Sequence, residues 1–83
     1  MKTVQKLVNG ECKKLGNHRK EVTDFSQVHK YYYYATCICE VNHATREIII
    51  DNGGYKTTST TRAINSYLNE LSYLNYDIVD LRR

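Results

Sequence analysis

The chain has no proline and no tryptophan, and only one phenylalanine, one methionine and four glycines among its 83 residues. Each scarcity excludes something. Without proline there is no rigid linker and no residue suited to a cis-peptide switch. No apolar run approaches the ~20 residues of a membrane span, and "MKTVQKLVNG" holds no apolar stretch of the kind a secretory signal needs. The expectation is a cytoplasmic protein without membrane contact. Cysteine is scarce and odd in number: Cys12, Cys37 and Cys39. Neighbouring same-face positions of one strand rarely meet disulfide geometry, so the C-x-C pair reads as reduced thiols.

What is present describes one small domain, 1–83, that buries a little over ~60% of its unfolded surface. With 41% apolar and 25% charged residues it is globular rather than disordered. Eight tyrosines are the compositional anomaly, because phenolic rings suit half-wet positions and interfaces. The net charge is only +3, but Lys2, Lys6, Lys13, Lys14, Arg19, Lys20 and Lys30 crowd the first thirty residues. Residues 1–30 therefore read as a basic, partly irregular arm. Its cations form either a solvated face or a contact for phosphate or an acidic protein.

Within the arm, Val4 to Val8 suggests a short strand or a frayed end, "NGECKKLGNHRKE" reads as loop, and Thr23 or Asp24 could cap a helical turn. The stretch "YYYYATCICEV", Tyr31 to Val41, is rich in aromatic and β-branched residues and reads as one strand. Alternation sends Tyr31, Tyr33, Ala35, Cys37, Cys39 and Val41 to the core, and Tyr32, Tyr34, Thr36, Ile38 and Glu40 outward. A turn at Asn42 to Thr45 and a second strand in "REIIID" complete an antiparallel hairpin. "DNGG" is a further turn, with a third strand expected from Tyr55 to about Thr58. From Thr61 to Leu74, Ala63, Ile64, Tyr67, Leu68, Leu71 and Leu74 recur at helical spacing. After Asn75, "YDIVDL" reads as a last strand. The fold class is therefore α+β: a β-β-β-α-β core over 31–83, with a small antiparallel sheet of three to four strands packed on one amphipathic helix.

The hydroxyl-rich run before the helix has a local explanation, since Ser59, Thr60 or Thr61 could cap it, worth about 1 kcal/mol. Thr57 and Thr58 could equally belong to the third strand. Lys56 and Arg62 exceed what capping needs, and with the amides they could form an anion site, although the P-loop spacing is absent. No catalytic pairing is legible: His18, His29 and His43 fall in or beside expected loops, and the carboxylates are scattered. So small a domain also leaves little room for a ligand pocket of about 300 Å³. Cys37 and Cys39 read as small hydrophobes rather than zinc ligands, so neither catalysis nor a cofactor is expected.

The segment "YYYYATCICEVNHATREIIIDNGGYKTTSTTRAINSYL", Tyr31 to Leu68, resembles small accessory proteins of bacteriophages. In these a Tyr-rich strand leads through an isoleucine strand, a Gly-Gly-aromatic turn and a Thr/Ser run into an Arg-containing helix with an "IN" pair. Turn and cap geometry explain the matches at Gly53, Gly54, Thr60 and Arg62 as readily as binding does. The resemblance implies a compact protein that binds and blocks a host protein or complex, such as a CRISPR effector, a restriction enzyme or a polymerase. Expected contacts are Tyr32, Tyr34, Lys56 and Arg62, with Lys13, Lys14, Arg19 and Lys20 of the arm. Direct DNA or RNA binding is the alternative, with Tyr32 and Tyr34 as stacking platforms. Homodimerisation through a sheet edge or the tyrosine face is also open.

Overall fold

A computed structural model describes residues 2–23, 25 and 27–82. The chain begins with a helix, α1, Lys2–Val8, where a strand or frayed end was expected. Val4 and Leu7, three residues apart, bury completely, and one-sided burial at that spacing favours helix over strand. Asn9-Gly10 is its stop signal. Gly10 has φ +80°, its N–H donates to the Leu7 carbonyl at 3.2 Å, and the Glu11 N–H donates to the Lys6 carbonyl at 2.9 Å. These two bonds form a Schellman cap.

Among the described residues six strands follow: β1 (Lys14–Leu15), β2 (His18–Thr23), β3 (Val28–Tyr33), β4 (Thr36–Asn42), β5 (Glu47–Ile50) and β6 (Asp77–Asp80). They lie in one sheet in sequence order. All neighbours are antiparallel except β5 and β6, which pair in parallel because α2, Thr58–Leu71, crosses over between them. The protein is thus α+β, with a mixed sheet larger than the three to four strands expected. Part of the excess comes from residues 1–30, which supply α1, β1 and β2 in place of a partly irregular arm. Thr23 closes β2 rather than capping a helical turn, and Asp24 lies outside the described residues.

The expected strand from Tyr31 to Val41 is two strands folded back at Tyr34-Ala35, with Tyr33 opposite Thr36. Tyr34 turns the chain at φ +56°, a left-handed conformation unusual for a bulky residue. The pairing then slips by one: Tyr31 faces Cys39, but Tyr32 faces Cys37, which leaves Ile38 as the extra residue of a bulge. At such a bulge two consecutive side chains can share one face. Ile38 and Cys39 are both buried, and Cys37, expected in the core, moves to the outer face beside Tyr32.

The hairpin across Asn42 to Thr45 is present, with Asn42 Oδ1 accepting from the Ala44 and Thr45 amides at 3.0 and 3.2 Å. At the next turn, Asp51 and Asn52 side chains accept from the Gly53 and Gly54 amides, each at 2.9 Å. No strand follows at 55–57: the chain runs from this turn into α2, which begins at Thr58 and not Thr61. Its cap is Thr57, whose Oγ1 accepts from the Thr60 amide at 3.3 Å. The helix ends at Leu71, one 3₁₀ turn follows, and Asn75 at φ +55° closes it as the sequence suggests.

Both helices cover the same sheet face. Val4 and Leu7 of α1 and Ala63, Ile64, Tyr67 and Leu71 of α2 bury Tyr31, Ile38, Cys39, Val41, Ile48 and Ile50 beneath them. Each large apolar side chain so buried contributes about 1.5–3 kcal/mol. Among the described residues no helix is long and apolar enough to cross a membrane.

Candidate functional site

The core carries two polar groups on its sheet side, both from β2. His18 is 7% exposed and its Nδ1 shares a hydrogen bond with the Tyr67 hydroxyl at 3.0 Å; burial lowers its pKa. Lys20 is 9% exposed, and its Nζ donates to the Leu7 carbonyl at 3.1 Å and lies 5.5 Å from the Tyr31 ring centre. A cation at the C-terminal carbonyls of α1 complements the helix dipole. Desolvation, with Lys13 nearby, lowers its pKa. Lys20 is therefore a structural residue and leaves the expected contact set.

The other expected contacts separate. Tyr32 sits half-buried on the open sheet face, where the Arg19 guanidinium lies 4.3 Å above its ring and its hydroxyl donates to Glu21 at 3.3 Å. Arg19 also pairs with Glu21 at 3.1 Å, so this cluster satisfies itself. Tyr34 does not share that face. It stands at the end of the sheet, 64% exposed, at the β3–β4 turn. Lys13 and Lys14 are exposed around β1, Lys56 is exposed in the loop before Thr57, and Arg62 is exposed one turn into α2.

What gathers at the Tyr34 end is a groove of three adjoining lobes. The central cleft, about 390 Å³, lies between the β3–β4 turn, with Tyr33, Tyr34, Ala35 and Thr36, and the approach to α2, with Asn52, Tyr55, Thr57, Ser59 and Thr60. Ile38 contributes to the same wall. This exceeds the room expected of so small a domain. A lobe of about 420 Å³ runs from Tyr34 past Asn17 and His18 to Lys14 and Arg19. A third, about 380 Å³, runs from Tyr33 past His18 to Arg62 and Ala63. Among the described residues no carboxylate lines any of the three lobes. Among the described residues no acid lies within ion-pair distance of Lys14, Lys56 or Arg62.

The walls are held from both sides. The Tyr34 amide donates to the Asn17 carbonyl at 2.8 Å, and Asn17 Nδ2 donates to the Tyr34 hydroxyl at 3.0 Å. Tyr33 packs edge-on against Tyr34 at 4.7 Å and tilted against His18 at 4.9 Å. On the helix side Thr57 Oγ1 donates to Thr60 Oγ1 at 2.9 Å. Gly53 supports the loop from behind, since a Cβ there would meet Thr36 Cγ2 at 2.7 Å. Tyr55 is 61% exposed at the rim.

Of the expected residues, then, Tyr34, Arg62, Lys14 and Arg19 line one groove, while Lys13, Lys20, Tyr32 and Lys56 do not. Tyr33, Tyr55, Asn17 and His18 are additions. Gly16-Asn17 joins β1 to β2 as a two-residue turn, a signal that was legible in "LGNHRK".

The thiols of β4 are not primed as nucleophiles. His18 opens β2 and His29 is the second residue of β3, each beside a turn as expected. His43 Nδ1 shares a hydrogen bond with the Tyr76 hydroxyl at 2.8 Å and packs at right angles to His29. Burial pushes the Cys37 and Cys39 thiols up, away from the reactive thiolate. Among the described residues no three His, Cys, Asp or Glu side chains are grouped to hold a metal ion.

In comparisons with known proteins, no family model, no curated protein and no solved structure matches the chain.

Proposed function

We propose that this is a non-catalytic binding protein whose working surface is the tyrosine-walled groove at the start of α2. The observation that carries the reading is the groove itself: exposed Tyr34 and Tyr55 and the cations Lys14 and Arg62, with no carboxylate among the described residues that line the lobes. Exposed tyrosines and arginine beside an apolar depression are the composition of binding hot spots. Tyr34 adds to this. A bulky residue in a left-handed turn costs about 1–2 kcal/mol, and its ring is left exposed rather than used in the core.

In its fuller form, drawn from the likeness of 31–68 to phage accessory proteins, the partner is a host protein that handles nucleic acid, such as a CRISPR effector. The chain would act by occupying that protein. The test is a tagged pull-down from host lysate, with and without nuclease, using wild type, Tyr34→Ala and Arg62→Glu. One host complex that survives nuclease and is lost with both variants is the expected result. Capture unchanged in both variants would remove the groove from the reading.

Direct nucleic-acid binding is the second reading, favoured by the acid-free lining and by rings on which bases could stack. It predicts that everything captured vanishes with nuclease.

A further inference from the structure

The three lobes differ in charge, and the difference constrains what can lie across them. The central cleft is lined by rings, hydroxyls, an amide and the aliphatic Ala35 and Ile38, with no charged side chain among the described residues. The cations stand only on its flanks, Lys14 and Arg19 on one side and Arg62 on the other. The profile is positive, apolar, positive. A nucleic-acid strand carries a phosphate at every nucleotide and would bring charge into the apolar middle as well as onto the flanks. Leaving a charge there without a partner is costly, whereas a bulky neutral side chain loses nothing by entering. Lys14 and Arg62, with no carboxylate of their own among the described residues, are free to take one from outside.

We propose that the groove receives an extended acidic segment of the partner protein. One bulky apolar side chain of that segment seats against Tyr33, Tyr34 and Tyr55, and carboxylates on either side of it reach Arg62 and Lys14. This rests on the partner-binding reading of the same groove and names the chemistry of what is bound. Charge at the two flanks sets register and direction, while the apolar anchor supplies most of the affinity.

The test is selection from a displayed library of random peptides of about nine residues, each ~3.3 Å long when extended, enough to cross three adjoining lobes. Selection is run on the full chain and separately on Arg62→Glu. The expected enrichment on wild type is one Leu, Ile, Phe or Trp flanked by Asp or Glu on both sides. On Arg62→Glu, Lys or Arg should replace the acid on one flank only. A synthetic peptide of the enriched sequence should bind wild type at least about ten-fold tighter than Arg62→Glu or Tyr34→Ala, with the gap closing as salt rises. Lys2→Glu, at a residue that lines none of the three lobes, should bind like wild type. Both groove side chains are exposed, so the variants should keep the wild-type circular dichroism.

Three results would overturn the proposal: no enrichment, enrichment of neutral or basic peptides, or tighter binding of an oligothymidylate of similar length that displaces the peptide. The pull-down separates this failure from failure of the underlying reading. If a nuclease-resistant host protein is lost with Tyr34→Ala while the library yields neutral peptides, the groove binds a partner but not through an acidic segment. If neither experiment captures anything, both readings fall.

Discussion

Asn17 and Tyr34 hold each other twice, once through the Tyr34 amide on the Asn17 carbonyl at 2.8 Å and once through Asn17 Nδ2 on the Tyr34 hydroxyl at 3.0 Å. Two turns far apart in sequence are thereby tied side by side, and the tie fixes one wall of the groove. Asn17→Ala removes only the side-chain bond and should cost about 0.5–1.5 kcal/mol, read as a lowered thermal midpoint. Tyr34→Gly removes the same bond but also relieves the left-handed strain. It should therefore be no less stable than Asn17→Ala, yet lose partner capture. A Tyr34→Gly protein markedly less stable than Asn17→Ala would show that the ring is held for packing rather than for binding.

Gly53 and Gly54 both have positive φ, +60° and +86°, but only Gly53 would drive a new Cβ into Thr36. Gly54→Ala should cost about 1–2 kcal/mol from backbone strain alone. Gly53→Ala should cost a further ~1–3 kcal/mol from the clash. Thr36→Ser, which deletes the clashing Cγ2, should recover most of that further loss in the Gly53→Ala background. Chemical denaturation of wild type, Gly53→Ala, Thr36→Ser and the double variant closes the cycle, with Gly54→Ala measured beside it. Equal costs for the two glycines would refute the close approach.

His18 is buried as the neutral ring, with the Tyr67 hydroxyl as its partner, and burial holds its pKa below 6.5. The unfolded chain therefore takes up the proton first as pH falls through about 6.5. Because the unfolded state then binds more protons, stability is full above that pH and declines below it, down to the folded pKa. Thermal midpoints measured from pH ~7.5 to ~5 should fall more steeply for wild type than for His18→Asn. Parallel curves would show that His18 does not carry the decline.

Lys20 joins β2 to the end of α1 through the Leu7 carbonyl. Lys20→Met keeps the aliphatic stem but leaves that carbonyl without its charged donor. It should cost about 1–2 kcal/mol and raise amide exchange selectively in residues 2–8. Uniform loss of protection across the sheet would show instead that the side chain matters for packing alone.

Much of the α+β class could be read locally. The hairpin at Asn42 to Thr45, the "DNGG" turn, the apolar stripe of α2 and its stop at Asn75 all rest on spacing and turn chemistry within a few residues, where backbone sterics decide. Other features depended on contacts made at long range. β2 was hidden because its inward positions are His18 and Lys20, which become tolerable inside only once Tyr67 and the end of α1 supply partners. The single strand expected from Tyr31 to Val41 failed for two reasons: Tyr34 turns the chain where no glycine marks a turn, and the bulge at Ile38 inserts one residue into the count. Between the turn and the bulge the alternation is displaced by one, which is why Cys37 and Ile38 exchange faces and Ala35, expected inward, lies exposed at the turn, whereas Tyr31, Cys39 and Val41 lie inward as expected. The groove was legible only in pieces. Tyr34, Lys14, Arg19 and Arg62 stand out as residue types, but their meeting around one cleft required three separate turns to be brought to one end of the sheet, which the antiparallel strand order and the packing of α2 on the core together determined.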